Sequence, residues 1–219
     1  EKYQARSQAQ LRKLLTLLPD GVVLEYAGAI EWVKGEESLA VWAGPSMNIF
    51  NSEAEKEIER LGFSGCFLSQ ELTIPQIRHI AKGSDIPLGA YVYGRTEMMI
   101  SEYCAINAVM GDKDKKHCPM YCMRGRFALK DGEGRRFPIH TDEWCHMHIA
   151  NCHVLDMRPY FDELKKAGLS ALTLDVRGNE GSILSLCKDA CDILCGRKEA
   201  PGAGRGDDVT RGHFFRGVL

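Results

Sequence analysis

The sequence predicts an α/β fold in which parallel strands alternate with helices. Short apolar runs recur along the chain, and segments with helical spacing separate most of them. Apolar runs of this length are typical of strands buried on both faces of a parallel sheet. Strands separated by helices are joined by right-handed crossovers. A chain of 219 residues is too short for a complete eight-stranded α/β barrel of typical length.

Five apolar runs predict the strands of this sheet. They are bounded by turn-forming or polar residues, and none is long enough to be an independent helix. In chain order they are GVVLEYAG (Gly21–Gly28), LAVWAG (Leu39–Gly44), SGCFLS (Ser64–Ser69), LGAYVYG (Leu88–Gly94) and ALTLDV (Ala171–Val176).

The helices are predicted by apolar spacing and by their end signals. Asn51 or Ser52 is expected to cap a helix that carries Ile58, because its side-chain oxygen can accept an orphan N–H of the first turn. Pro75 fits the first turn of TIPQIRHIAKG, where a proline costs no hydrogen bond. The other predicted helices are SQAQLRKLLTLLP, LDMRPYFDELKKAG and EGSILSLCKDACDILCG.

The stretch after the fourth run breaks the alternation of strands and helices. Within residues 126–142, FALKDGEGRRFPI places an acidic-glycine turn between two alternating segments, which predicts a β-hairpin. Beyond Gly196 the chain is rich in glycine and charge, which predicts a loop or a link to a following domain.

Composition limits the classes of function. A net charge of −2 argues against a general electrostatic grip on nucleic acid, although it leaves room for a local basic patch. No apolar run approaches the ~20 residues that span a bilayer, so no membrane partner is expected. The polar start lacks a secretory segment and an initiator Met, which predicts a piece of a longer protein. Nine cysteines without such a segment predict reduced thiols in the cytoplasm.

Four cysteines lie in the irregular stretch and predict a metal centre. A C-x-x-x-C pair in a loop can aim both sulfurs at one centre, and Lys115 and Lys116 nearby favour the thiolate form. Thiolates are the ligands of zinc and of iron–sulfur clusters, and the sequence leaves both open. The four sulfur ligands are Cys104, Cys118, Cys122 and Cys145, and the histidines that can replace a sulfur on zinc are His117, His146 and His148.

The remaining cysteines are interpreted as structural. Cys187, Cys191 and Cys195 share one face of a predicted helix, and one helix face cannot converge three sulfurs on an ion. Cys66 lies inside a predicted strand and is expected to pack in the core. Cys152 is also taken as structural.

Polar residues that follow the predicted strands are candidates for a reaction site. Ligands of parallel α/β folds bind at the carboxyl ends of the strands. Arginine at such an edge suits a carboxylate or phosphate, because guanidinium donates two parallel hydrogen bonds. The catalytic candidates are Glu25, Glu71, Tyr93, Arg95, Asp175 and Arg177, and Tyr26 and Asn48 complete the predicted lining. No G-x-S-x-G, H-E-x-x-H, G-x-G-x-x-G or P-loop pattern is present.

A resemblance to a known family rests on five stretches. They are VYGRTEMMISEYC, CPMYC, ALKDGEGRRFPIHTDEWCHMHIAN, LTLDVRG and TRGHFFRGVL. They are similar to the collagenase-like peptidases, peptidase family U32, and the likeness extends from about GVVLEYAG to the last residue.

The resemblance implies an α/β barrel of which this sequence covers the C-terminal half. The fold class is then a partial TIM-like barrel with a β-hairpin and a cysteine-rich insertion. The partial barrel spans residues 1–196, its insertion spans 98–150, and 197–219 is a tail or linker. Such a fragment exposes sheet edges, so we expect a homodimer or pairing with the missing remainder of the full-length chain.

The resemblance also implies a cofactor. Similar proteins are linked to hydroxylation of RNA or of ubiquinone precursors, and use a 4Fe–4S cluster held by four cysteines. Cys104 falls where a family ligand follows the YGR strand, and Cys118 with Cys122 matches the later C-x-x-x-C. One branch has a further ligand where this chain has Glu97, and another near Cys152. Cys145 is therefore taken as the fourth ligand.

Three functions follow as hypotheses. The first is an iron–sulfur-dependent enzyme for hydroxylation or modification of RNA or a small aromatic substrate. The second is a peptidase, a collagenase-like hydrolase, as the family name says. The third is a non-catalytic binding module in which zinc fixes the cysteine-rich loop.

Overall fold

A computed structural model describes residues 2–111 and 118–174. The described residues separate into two compact units. The barrel unit comprises residues 2–92 and 157–174, and the sheet unit comprises the described part of 93–156. The predicted tail at 197–219 and the predicted last helix lie outside the described residues.

The strands form a mainly parallel sheet and a separate antiparallel one. The parallel sheet has the order β1-β2-β3-β4-β10, its first four strands pair in parallel, and it curls into a half-barrel. The fold class expected from the sequence is thereby confirmed. The strands are β1 (Gly21–Leu24), β2 (Ala40–Ala43), β3 (Gly65–Phe67), β4 (Leu88–Gly94), β5 (Glu97–Ser101), β6 (Phe127–Lys130), β7 (Arg136–Thr141), β8 (Met147–Ala150), β9 (Leu155–Asp156) and β10 (Ala171–Leu174).

Helices separate the parallel strands of the barrel unit. Their apolar faces pack on a core whose largest fully buried side chains include Leu11, Leu88 and Phe161. None of the helices in the described residues is long and apolar enough to cross a membrane. The α-helices are α1 (Lys2–Leu15), α2 (Ser52–Arg60), α3 (Ile74–Ala81), α4 (Ala105–Met110) and α5 (Phe161–Lys166). The 3-10 helices span Ala27–Trp32, Pro45–Met47, Tyr121–Met123 and Arg158–Tyr160.

The predicted helix caps are present. Asn51 is the N-cap of α2, and its Oδ1 accepts a hydrogen bond from the N–H of Ala54 at 2.8 Å. Before α3, the N–H of Thr73 donates to Oε1 of Gln76 at 2.8 Å, and Pro75 occupies the first turn. Each helix therefore starts where a side chain satisfies a backbone group that has no partner within the helix.

The core contains one acid beside one thiol. Glu55 of α2 is fully buried, and its Oε1 accepts a hydrogen bond from the Ser84 hydroxyl at 2.6 Å. The pKa of Cys66 is raised to about 12, mainly because the thiol is buried and to a smaller extent because of the charge of Glu55. Cys66 is fully buried in β3, as expected for a packing residue.

Several expected elements differ from the structure, among them Leu155–Asp156, which was expected to begin a helix and instead forms strand β9. β1 ends at Leu24 rather than Gly28, because the chain turns into the 3-10 helix Ala27–Trp32. α5 begins only at Phe161, because Pro159 lies in a preceding 3-10 turn and proline breaks the hydrogen-bond pattern of a continuing helix. The stretch expected to be irregular contains two strands, β5 and β8.

The sheet unit has the strand order β5-β8-β7-β6, and all its pairs are antiparallel. The predicted hairpin is confirmed as β6 and β7, with Phe127 opposite Ile139 and Lys130 opposite Arg136. Its turn is held by Asp131, which accepts hydrogen bonds from the N–H and the Nε–H of Arg135 at 2.9 and 2.6 Å.

We predict that Asn51→Ala lowers the free energy of unfolding by about 1 kcal/mol, because the N–H of Ala54 loses its acceptor. Ser52→Ala is the matched control: Ser52 lies inside α2 and is not its cap, so a change below about 0.5 kcal/mol is expected. Urea denaturation monitored by circular dichroism measures both values. Equal losses for the two variants would contradict the capping assignment.

Candidate metal centre and sheet edge

All four predicted cysteine ligands lie at one end of the antiparallel sheet. Ser101, the last residue of β5, faces Met147, the first of β8, and Met147 faces Thr141, the last of β7. β6 also begins at this end, because Phe127 faces Ile139. The chain from β5 to β6 carries Cys104, Cys118 and Cys122, and the chain from β7 to β8 carries Cys145.

The strand register limits how far apart Cys104 and Cys145 can lie. Cys104 is three residues beyond Ser101, and Cys145 is two residues before Met147. Three extended residues span at most about 10 Å, and two span about 7 Å. Directly paired Cα atoms lie about 5 Å apart. The β5–β8 pairing therefore keeps the two Cα atoms within about 22 Å of one another, although 40 residues separate them in the sequence.

Cys104 is the N-cap of the short helix α4. Its Sγ accepts a hydrogen bond from the N–H of Asn107 at 3.4 Å. α4 contacts the 3-10 helix Tyr121–Met123, which contains Cys122. The elements that carry Cys104 and Cys122 therefore touch.

Cys118 also accepts a backbone hydrogen bond through its sulfur. The N–H of Met120 donates to Sγ of Cys118 at 3.4 Å, and Met120 adopts the left-handed conformation with φ 55°. Backbone N–H groups that donate to sulfur stabilise a thiolate and help to set the potential of iron–sulfur clusters. The environments of Cys104 and Cys118 suit metal-bound sulfur.

Cys145 is exposed and also adopts a left-handed conformation, with φ 62°. This conformation is uncommon for a residue other than glycine and marks a backbone held by its surroundings. The N–H of Cys145 donates to the carbonyl of Asp142, and Asp142 Oδ1 accepts from the N–H groups of Trp144 and His146. A hydrogen-bonded turn therefore fixes the position of Cys145.

A buried amide lies one turn beyond Cys104. Asn107 is 5% exposed, and its Oδ1 has no hydrogen-bond partner in the structure. A Cβ at Gly111 would lie 2.0 Å from this oxygen, so only glycine fits there. An unsatisfied buried polar atom is costly.

The cysteine sulfurs of the described residues are not gathered at the spacing of a single zinc site. One zinc ion needs sulfur ligands at about 2.3 Å, so ligand sulfurs on the same ion lie close together. Among the described residues, no three cysteine sulfurs lie within 4.8 Å of one another. The ligands of a cluster bind different irons and lie farther apart. His117, one of the alternative zinc ligands, lies outside the described residues.

Two candidates for catalysis lie at the edge of the parallel sheet. Glu25 follows β1, and its Oε2 accepts a hydrogen bond from the N–H of Ser46 at 3.0 Å. A Cβ at Gly44 would lie 2.5 Å from the Glu25 carboxyl, so glycine makes room for this side chain beyond β2. Glu71 is exposed in the turn that follows β3. Parallel pairing places both turns at the same edge.

The other candidates are placed differently. Tyr93 is buried in β4. Arg95 follows β4, and its Nη1 donates to the carbonyls of Asn151 and Cys152 at 2.9 and 2.6 Å. Arg95 thus stabilises the turn after β8, and its role as an anion-binding group stays a prediction. Asp175 and Arg177 lie outside the described residues.

A group of nitrogen and oxygen donors was missed by sequence reasoning. Glu97 of β5, His140 of β7 and His148 of β8 each offer one donor atom, and these atoms all lie within 4.8 Å of one another. His148 was expected only as a replacement for a sulfur ligand. The available signal was the alternation H-x-D that begins in β7 and ends just after it, together with H-x-H leading into β8, because alternate residues of a strand share a face.

Asp142 contacts the rings of two histidines, His146 and His148. Its Oδ2 accepts from Nδ1 of His146 at 2.8 Å and lies 3.4 Å from Nε2 of His148. Partial burial on its own would raise the pKa of Asp142. Hydrogen bonds from the backbone and ring of His146, the N–H of Trp144 and the ring of His148 outweigh burial, so the pKa is lowered.

The fold and these donors define an α/β half-barrel protein with an antiparallel sheet that carries cysteines at one end. The sequence profile of peptidase family U32 matches residues 2–190, and the chain belongs to this family. The expected family membership is thereby confirmed. The family description indicates an enzyme.

No curated protein matches the chain. A structural similarity exists to the spore cortex-lytic enzyme SleL of Bacillus megaterium QM B1551, at 15% identity and a TM-score of 0.25. It covers 68% of this chain and 40% of SleL, so the chain spans less than half the length of that enzyme.

We predict that alkylation separates the cysteines by environment in reduced, metal-free protein. The thiolate is the reactive form, and burial beside Glu55 raises the pKa of Cys66 to about 12. Iodoacetamide at pH 8 is expected to modify the exposed Cys145 at least about tenfold faster than Cys66. Peptide mass spectrometry measures the rates, and unfolding in urea, the control, should abolish the difference. Equal rates in the folded protein would contradict the burial of Cys66.

Proposed function

We propose that this chain is part of an iron–sulfur enzyme that hydroxylates or otherwise modifies RNA or a small aromatic substrate. Cys104, Cys118, Cys122 and Cys145 are the proposed ligands of a 4Fe–4S cluster. The observation that carries the proposal is the strand register, which brings both cysteine-bearing connections to one end of the antiparallel sheet.

The surroundings of the sulfurs support a cluster. Two of the four sulfurs accept backbone N–H hydrogen bonds, from Asn107 and Met120. Cys145 is exposed, and the other three are half-buried, so substrate and electron donors can reach the site. When bound, the cluster supplies electron-transfer chemistry, and its potential depends on these hydrogen bonds and on burial.

The proposed substrate class has local support near Cys122. The guanidinium of Arg124 lies 5.7 Å from the centre of the Tyr121 ring, over its face. Such a pair offers a flat surface for stacking and a cation for a phosphate or carboxylate. RNA presents bases and phosphates together, and a small aromatic acid presents a ring and a carboxylate, so both suit this pair.

The polar edge of the parallel sheet supplies the proposed acid–base groups. Glu25 is held by the N–H of Ser46 at 3.0 Å, whereas Glu71 is exposed. A carboxylate fixed by the backbone is suited to orient a substrate, and an exposed one is suited to exchange protons with it. The free thiols of the described cysteines suit a reducing compartment, and we propose the cytoplasm.

We predict that anaerobically purified protein is brown and contains iron and acid-labile sulfide in equal amounts, as a 4Fe–4S cluster requires. Serine at any of the four ligand positions should remove most of the iron, because a hydroxyl is a poor ligand for this cluster. Cys152→Ser tests the half-buried cysteine near which the resemblance implies a ligand in one branch of the family, and it should keep the iron because Cys145 is the proposed fourth ligand. Iron retained in all four ligand variants would overturn the ligand assignment.

The same variants distinguish the peptidase and zinc alternatives. RNA from cells that lack the protein is expected to lose an added oxygen atom, detectable by mass spectrometry, and Cys122→Ser should not restore it. Peptide hydrolysis that survives Cys122→Ser but is lost in Glu71→Gln would instead establish a peptidase. One equivalent of zinc without iron, and unfolding on chelation, would instead establish a binding module.

A further inference from the structure

We propose that Glu97, His140 and His148 form a second metal site, which takes a divalent transition metal such as Zn²⁺ and uses none of the cysteines. This site does not depend on the iron–sulfur proposal, because its donors are nitrogen and oxygen atoms on three strands of the antiparallel sheet. It is called the HHE site below.

The strand register assembles the HHE site from distant parts of the chain. His140 of β7 faces His148 of β8 directly, and Glu97 faces Ala150, which shares a face of β8 with His148. A register irregularity between Glu97 and Met99 accompanies the close approach of Glu97 to His148. Their atoms Oε2 and Nδ1 lie 2.5 Å apart, and one donor atom from each of the three residues lies within 4.8 Å of the others.

The face of β8 opposite the HHE site is buried, whereas Glu97 and His140 of the HHE site are exposed and His148 is half-buried. Met147 and Ile149 are buried, and alternation along a strand places them on the opposite face of β8 from His148. The His140 and His148 rings stack at 4.8 Å with an angle of 12°. The lone pair with which an imidazole nitrogen binds a metal lies in the plane of its ring. Binding of one ion by both histidines therefore requires one ring to rotate out of this stacked arrangement.

The donor types select the class of ion. Imidazole suits zinc, iron, nickel and copper, whereas calcium and magnesium prefer sites made of oxygen alone. Two imidazoles and one carboxylate are the donors of catalytic zinc sites and of non-haem iron(II) sites that keep open positions. The HHE site therefore selects a borderline transition metal. It has three protein donors, which leaves room for water or another ligand.

A supporting carboxylate is already in place. Oδ2 of Asp142 lies 3.4 Å from Nε2 of His148. The other ring nitrogen of His148, Nδ1, faces Glu97. The N–H groups of Trp144 and His146 hold the other oxygen of Asp142 at 2.9 and 2.8 Å. A histidine that binds a metal through one nitrogen usually donates its other N–H to a carboxylate, which orients the ring. Asp142 is placed for this role.

The alternative is a metal-free network of hydrogen bonds among the same residues. Both need the same side chains, so the presence of these residues alone does not distinguish a metal site from a hydrogen-bonded network. Metal titration separates them, because a hydrogen-bonded network has no affinity for Co²⁺ or Zn²⁺ that depends on all three donors together.

The test uses the full chain after reduction and chelation, with Co²⁺ as the probe. Co²⁺ at the HHE site should give visible bands without the intense near-ultraviolet charge transfer of thiolate–cobalt bonds. His140→Ala, His148→Ala and Glu97→Gln should each remove these bands. Asp142→Asn should weaken binding by about tenfold. His153→Ala is the matched control, since His153 is another histidine of the sheet unit outside the donor group.

Two further readouts keep the outcome clear. Circular dichroism of the metal-free variants should match that of the unaltered protein, which excludes loss of folding as the cause. Iron content after anaerobic purification should be unchanged in His140→Ala, so failure of the HHE site and failure of the cluster are distinguishable. Cobalt bands that survive all three substitutions, or that vanish only with cysteine variants, would overturn the proposal. The absence of any cobalt bands in the unaltered protein would overturn it too.

Discussion

The pairing of β5 with β8 is the constraint on which the proposed chemistry depends. It pairs Ser101 with Met147, which lie 46 positions apart in the sequence. The pairing thereby holds together the two ends of the chain segment that carries the four cysteines. Closing a long loop costs entropy, and backbone hydrogen bonds of the ladder together with burial of Met147 and Ile149 offset that cost. Without this ladder, Cys104 and Cys145 would have no reason to approach one another.

The same ladder serves two donor sets of different chemical character. At its end lie soft sulfur donors, and on its face lie the imidazoles and carboxylate of Glu97, His140 and His148. Soft thiolates favour iron–sulfur clusters, whereas mixed nitrogen and oxygen donors favour single borderline ions. The two proposed metal sites therefore use different donor types on one small sheet.

Local signals made the parallel strands, the cap of α2 and the β6–β7 hairpin predictable from the sequence. The apolar runs at β2 and β3, the Asn51 cap and the acidic turn at Asp131 each act within a few residues, so their patterns are readable without the fold. β5 and β8 were missed because their pairing is nonlocal. The run Met98–Ile100 is exposed on β5 and lacks the alternation that marks a half-buried strand. Because both strands were missed, the grouping of Glu97 with His148 was missed as well, while the four cysteines were proposed from residue type alone.

The most direct measurement of this account is thiol–thiol cross-linking of reduced, metal-free protein at low concentration, with the linked peptides identified by mass spectrometry. A flexible bifunctional maleimide should join the peptide that contains Cys104 to the peptide that contains Cys145 within one chain, and urea should abolish that product. If the only intramolecular product joined Cys118 to Cys122, and Cys145 reacted with Cys104 only between chains, the convergence of the cysteines at one end of the sheet would be wrong.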